Sequence, residues 1–417
     1  MDKEHFFKYF KSDFSASIIV FFVALPLCLG IALASGAPLF SGIIAGIVGG
    51  IVVGFASGSA LGVAGPAAGL AVIILNSIAS LGSYQAFLLA GMIAGLIQII
   101  LGFIRAGFIA YFFPSSVIKG MLTGIGLLII MKQIPHLLGA HEGLSHTPGA
   151  LLIGVVSIAV LVFWDMVLLK KHKIFQIIQG PIVVVVLGIL VNILYTKGIL
   201  GLSLLDNQLV RIPVPENLTG FLSQFTFPDF SQFYNLEIYK IAILLAIIGS
   251  LETLLSVEAT DKLDPEKRIT PTNRELKAQG LGNFISCMIG GLPVTQVIVR
   301  SSANISFGGK TKLSAILHGF WLLISAITIG SYLNMIPLAS LAAILIMVGF
   351  KLAKPTLFKK MYTLGSEQFV PFVATVGAIL ATDLLKGISV GLVVGIFYVL
   401  KHSYRNSHHL KEVIKSE

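Results

Sequence analysis

Charged residues are what this sequence has least of: only 12% of its 417 residues are Asp, Glu, Lys or Arg, about half the share found in soluble domains. With 56% of the chain hydrophobic, that scarcity excludes a soluble globular protein. There are two cysteines, Cys28 and Cys287, both inside apolar runs, which excludes a disulfide framework and a Cys-rich metal site. Catalytic sets are missing as well. No His-Glu-x-x-His or intramembrane Ser-His pair is present, so no enzyme and no cofactor are expected. His136, His141 and His146 share a polar loop, but their spacing matches no familiar ligand pattern and reads as solvated. His318, the only His well inside a predicted span, reads as a packing or hydrogen-bonded residue. A removable signal peptide is not expected, because Met1 to Asp13 is polar and the apolar run after it is too long.

What remains is apolar sequence, almost continuous from Phe14 to Leu400. A bilayer core of about 30 Å takes roughly 20 apolar residues per helix. Breaks in hydropathy give spans at 14–35, 39–57, 66–80, 84–104, 115–138, 148–169, 174–196, 239–258, 275–290, 296–307, 312–331, 335–351, 367–382 and 386–402. This predicts an all-α polytopic membrane protein of fourteen segments. The formal net charge of +10 is spread between the spans, which makes the basic residues topology signals rather than a nucleic-acid surface. On this layout 22 of the 29 Lys and Arg fall in alternate loops, which places both termini in the cytoplasm. The alternation holds only if the short third and tenth segments count as crossings or half-crossings.

Those two segments carry the expected function. Residues 1–13 read as a cytoplasmic N-terminus, 14–196 as a first seven-span repeat, 197–238 as an extracytoplasmic crossover loop, 239–402 as a second repeat and 403–417 as a cytoplasmic tail. In each repeat the third span is short and opened by Gly and Pro, Gly65-Pro66 in one and Gly290-Gly291-Leu292-Pro293 in the other. Two inverted repeats with broken helices place a binding site near the bilayer midplane. A helix that begins within the membrane must aim its free N–H groups at protein, water or ligand, and its partial positive charge favours an anion. Within the spans, Arg300 and Glu252 are the charges that stand out. Arg300, one turn after Gln296, reads either as an attractor for an anion or as a structural partner of Glu252 or of backbone carbonyls. Glu252 has Ser256 on the same helix face one turn later. A carboxylate beside a hydroxyl can hold Na+ or take up a proton. Glu258 and Asp261, at the cytoplasmic end of that helix, read as solvated.

At these residues the chain resembles the SulP family of inorganic anion transporters. The likeness is carried by Ala24-Leu25-Pro26-Leu27-Cys28, Ser35-Gly36-Ala37-Pro38, Gly65-Pro66 and Pro114-Ser115-Ser116. It is carried most specifically by Asn273-Arg274-Glu275-Leu276, Gln279-Gly280-Leu281-Gly282-Asn283 and Gly290-Gly291-Leu292-Pro293-Val294-Thr295, followed by Arg300 and Asn304. The resemblance implies a core domain, spans one to four and eight to eleven, moving against a gate domain made of the rest. It implies an anion held at Ala67, Ala68, Gln296, Val297 and Ile298 with Arg300 nearby, and coupling through Glu252 and Ser256. It further implies a cell-membrane (inner-membrane) homodimer. Many members have Gln where this chain has Leu27, which brings it nearer the bacterial bicarbonate carriers. Most members also continue into a STAS domain, whereas only Lys401 to Glu417 follow the last span here. The expected function is therefore alternating-access transport of sulfate or bicarbonate coupled to H+ or Na+; an anion channel and a nucleobase or organic-anion carrier of the same fold are the alternatives.

Overall fold

The computed structural model describes residues 9–107, 114–140, 146–171, 179–212, 220, 224–382 and 386–401. His141, Lys173, Pro213, Pro215 and the tail from residue 403 lie outside them. Helices occupy the apolar stretches: α1 (Phe10–Ala34), α2 (Leu39–Ala56), α3 (Ala68–Leu81), α4 (Tyr84–Phe103), α5 (Ser115–Leu138), α6 (Pro148–Leu168), α7 (Gly180–Thr196) and α8 (Leu236–Leu263). They continue with α9 (Thr272–Met288), α10 (Ile298–Ser306), α11 (Leu313–Thr328), α12 (Leu338–Leu352), α13 (Pro355–Thr363), α14 (Ser366–Ala381) and a helix over 386–401. Two short strands, β1 (Ala64–Pro66) and β2 (Val294–Gln296), precede α3 and α10.

Local sequence explains many of the boundaries. Ser83 accepts the Ala86 N–H at 3.1 Å to start α4, and Asn235 accepts that of Glu237 at 3.0 Å to start α8, both as N-caps. Gly82, at φ 74°, ends α3 in the left-handed conformation that glycine adopts without steric cost. Large apolar side chains face outward, among them Phe103, Met166, Leu190 and Val393. That surface suits lipid, since a soluble protein rarely carries so many together.

Three of the boundaries that differ from expectation have a local cause. The first helix starts at Phe10, which brings Asp13 into its first turn and buries it completely. The third and tenth segments begin as extended strands, so that α3 and α10 start two residues later than Pro66 and Gln296. The basic stretch after Lys351, expected as a loop, contains α13, because Pro355 opens a helix and Met361 on it is fully buried.

The described chain forms two compact units. One contains Met1–Phe108 and Lys132–Met347, the other Ile109–Met131 and Val348–Glu417. The smaller unit is centred on Met361, Phe372 and Val376, with Phe358 edge-on to Phe372 at 5.1 Å. In the larger unit α4 and α9 pack backbone to backbone. A Cβ at Gly95 would lie 2.7 Å from the Gly280 carbonyl oxygen, and one at Gly280 would lie 2.6 Å from that of Gly95. Small residues permit this approach in a membrane, where van der Waals packing replaces the hydrophobic drive between helices.

A polar network at the α8–α9 and α10–α11 connections closes the same unit. The Asp13 carboxylate accepts the N–H groups of Lys310 (2.7 Å) and Thr311 (3.0 Å) and the Thr311 hydroxyl (2.5 Å). Arg268 pairs with Asp264 at 2.7 Å and donates to the Lys310 carbonyl at 2.9 Å. Burial, which raises the Asp264 carboxyl, is outweighed by the hydrogen bonds and charge of Arg268 and the Glu266 N–H, so this carboxyl lies below its ordinary range. Glu258 is solvated and paired with Lys262, as expected. Asp261 instead holds the N–H and hydroxyl of Thr270, each at 2.7 Å.

Two outcomes follow for stability. Asp13→Ala leaves two backbone donors and one hydroxyl without their acceptor, at about 1–3 kcal/mol for each buried group, and thermal unfolding in detergent is expected at a clearly lower temperature. Gly280→Val is expected to prevent a stable fold, whereas Gly377→Ala, where an added Cβ meets nothing within 4 Å, is expected to leave the melting temperature unchanged or higher.

Candidate functional site

The site is built where the two broken segments meet. β1 and β2 pair antiparallel, with Ala64 opposite Gln296, Gly65 opposite Thr295 and Pro66 opposite Val294. The Val297 N–H continues the ladder to the Val63 carbonyl at 2.9 Å. The ribbon pairs backbone groups that would otherwise be orphaned in the buried interior. It also sets the start of α3 beyond one end and that of α10 beyond the other, so both helix N-termini face back onto it. Ala67 and Val297 occupy the N-cap positions, and neither helix start is capped by a side chain. Ala68 and Ile298 are the first helical residues. The first N–H groups of both helices therefore have no side-chain cap, and each helix start carries partial positive charge.

Each side of the ribbon is held by the elements around it. Ser301 accepts the Val63 N–H at 3.0 Å and donates to the Val297 carbonyl at 2.9 Å, bridging both strands from the first turn of α10. Asn304 donates to the Leu61 carbonyl at 3.0 Å. On the opposite side Asn283 of α9 accepts the Val294 N–H and donates to Gln98 of α4 at 2.6 Å. Gln98 in turn donates to Ser250 of α8 at 3.2 Å. This chain of fully or nearly fully buried amides ties β2 to the helix that carries Glu252.

Arg300 is fully buried and makes no ion pair with Glu252 among the described residues. Its Nη2 lies 3.4 Å from the Cys28 thiol, while Nε and Nη1 have no hydrogen-bond partner. The guanidinium passes directly against the backbone of β1: a Cβ on Gly65 would lie 2.0 Å from Nη1. A buried guanidinium with two unpaired donors is costly unless an acceptor arrives.

Glu252 lies on the other side of the first segment. Its carboxylate lies directly against the backbone of Gly69, in the first turn of α3: both oxygens would lie 2.6 Å from a Cβ placed there. Oε2 is buried without a partner. Ser256 is buried one turn along, and its carbonyl accepts the Thr260 hydroxyl at 2.6 Å. Thr260 then accepts the Gln296 side-chain amide at 3.1 Å. Gln296 thus anchors β2 to α8 through its side chain.

Thr260, Ser301 and Gln98 were not singled out from the sequence. Thr260 could have been, since it lies two turns beyond Glu252 on the same face of one helix. The others act across elements far apart in the chain and leave no periodic signal. His318 is fully buried, its Nδ1 hydrogen-bonded to the Ala315 carbonyl at 2.8 Å and its Nε2 unpartnered. Among the described residues no group of three His, Cys, Asp or Glu could hold a metal ion.

Known proteins share both sequence and fold with this chain. YvdB of Bacillus subtilis (strain 168), which carries a provisional sulfate-transporter name, is 27% identical over 97% of this chain and 76% of its own. The bicarbonate transporter BicA of a Picosynechococcus species is 26% identical over 93% of this chain and 70% of its own. The solved transmembrane domain of a cyanobacterial BicA superposes with a TM-score of 0.77 at 23% identity, covering 94% of this chain and 98% of that domain, which establishes the fold. Residues 10–375 match the sulfate permease family, a family of membrane transporters rather than enzymes, and the chain belongs to it.

Proposed function

We propose that this multi-pass membrane protein is a secondary transporter that carries sulfate or bicarbonate by alternating access, coupled to H+ or Na+. The observation that carries the reading is the fully buried Arg300 with two free donors, set between two uncapped helix starts. Three sources of positive potential, two helix starts and one guanidinium, lie around the β1–β2 ribbon, which suits a small oxyanion of either kind. The relatives named as bicarbonate and sulfate transporters support the same substrate class.

In this proposal the chain crosses the membrane fourteen times as two inverted seven-span repeats, with both termini cytoplasmic, in the cell membrane and as a homodimer. Spans one to four and eight to eleven form the core and carry the site past a gate made of the others. Substrate is held by the backbone at Ala67, Ala68, Val297 and Ile298 and by Arg300, with Gln296 fixing the second strand. Glu252, with Ser256 beside it, takes the coupling cation.

Uptake of labelled sulfate and, separately, bicarbonate into proteoliposomes tests the reading. Saturable uptake of one anion, driven by an imposed proton or sodium gradient, is expected. Arg300→Gln is expected to weaken uptake at least tenfold, and Glu252→Gln to abolish accumulation against the anion gradient. Uptake that never saturates, or continues unchanged in both variants, would instead indicate a channel or a carrier of another substrate.

A further inference from the structure

The stretch before α8 carries a group of aromatic rings on its surface. Phe227, Phe230, Phe233, Tyr234 and Leu236 are between 51% and 92% exposed. Phe230–Tyr234 forms one short 3₁₀ helix, whose repeat of about three residues puts Phe230 and Phe233 on one face. Phe233 stands edge-on to Tyr234 at 6.0 Å and to Tyr239 at 5.9 Å, and the Tyr239 hydroxyl donates to the Phe233 carbonyl at 2.8 Å. A single exposed ring is ordinary, whereas a contiguous group of them marks an interaction surface.

The inner side of the same stretch is bound to the protein. Pro228 is buried, the Phe225 ring lies 6.3 Å from that of Phe40, and the Asp229 N–H donates to the Gln85 carbonyl at 3.1 Å. The Thr226 backbone lies against Gly290, where an added Cβ would be 2.7 Å from the Thr226 carbonyl oxygen. Gly290, at φ 89°, opens the turn that leads into β2. Tyr84 and Ser41 hold that turn as well: the Tyr84 hydroxyl donates to the Gly290 carbonyl at 3.0 Å, and the Ser41 carbonyl accepts the Leu292 N–H at 3.2 Å.

We infer that residues 224–236 are a lipid-seated strap: the rings sit in the headgroup region of the leaflet at this end of α8, and the backbone behind them holds the turn that feeds β2.

Three observations select lipid as the partner. Leu236 begins an exposed stripe on α8 that continues through Lys240, Ile243 and Ile247, so the ring patch runs without a break onto a helix long and apolar enough to cross a membrane. The 28 residues of α8 make it about 42 Å long, close to the bilayer thickness with both headgroup regions included. With the solvated Glu258–Lys262 pair at one surface, the Leu236 end reaches the headgroups of the other. Finally, Asp229, Ser231, Gln232 and Asn235 are interspersed with the rings. A dry interface with a second copy would desolvate those polar groups, whereas the membrane–water boundary keeps the rings in lipid and the polar groups wet. The Glu237–Lys240 pair at 2.9 Å leaves little net charge nearby, so the surface suits zwitterionic lipid.

Nitroxide labels test this, because Cys28 and Cys287 are both buried and an introduced surface thiol is the one that reacts. Phe230→Cys, Phe233→Cys and Tyr234→Cys are made singly in the full chain; each side chain is more than half exposed, so the packing stays intact. The labelled proteins, in phosphatidylcholine nanodiscs, are compared by electron paramagnetic resonance for collision with oxygen, which concentrates in lipid, and with a water-soluble nickel chelate. Glu266→Cys, in the solvated turn after α8, is the reference for water, and Ile247→Cys the reference for the bilayer interior. All three labels are expected to meet oxygen severalfold more and nickel severalfold less than the Glu266 reference, and nickel more than the Ile247 reference. Nickel collision equal to that at the Glu266 reference places the rings in water and overturns the inference. Low collision with both reagents, or broadening from a label on a second copy, makes the patch a protein interface and overturns it equally.

Discussion

A guanidinium group buried in a membrane protein with two donors unpaired is the constraint on which the other features depend. Arg300 could have been satisfied by Glu252, since both charges lie in the larger unit and near the same ribbon. They are instead apart: the guanidinium lies against Gly65 in β1, and the carboxylate lies against Gly69 in the first turn of α3. An ion pair would have cancelled both charges. Keeping them unpaired requires a rigid scaffold, because either charge would otherwise find the other or find water.

The antiparallel ribbon and its side-chain supports form that scaffold. Ser301 and Asn304 fix the first segment from α10, while Asn283 and Gln98 fix the second from α9 and α4. Within the low-dielectric bundle such hydrogen bonds are strong when complete and costly when broken, so the ribbon has little freedom to drift. The glycine contact between α4 and α9 supports the same arrangement, since Asn283 and Gln98 come within reach only because the backbones of these helices approach so closely. Packing between α4 and α9 is thus linked to the geometry at the helix starts.

Much of this was legible in the sequence. The apolar runs located the helices to within a few residues, and the Gly-Pro breaks marked the two segments that begin as extended strands. Glu252 and Arg300 stood out because ionisable residues are rare in spans. What the pattern could not convey was partnership. Nothing along the chain tells whether Arg300 pairs with Glu252, or that Gln296 spends its amide on Thr260. Those facts depend on contacts between residues distant in sequence, and on glycines whose significance lies in the side chains they admit. The start of α1 was misplaced for a related reason: Asp13 looked like a solvated flank, yet it is buried because the turn at Lys310 and Thr311 supplies it with donors.

The central claim is that an anion sits between the starts of α3 and α10 within reach of Arg300. The most direct measurement is an experimental structure of the protein bound to selenate, with the selenium located by anomalous scattering. The account predicts a single strong peak beside the β1–β2 ribbon, close enough to Arg300 and to the Val297–Ile298 backbone for direct hydrogen bonds. A well-occupied peak elsewhere in the bundle, with Arg300 still unpartnered, would contradict it.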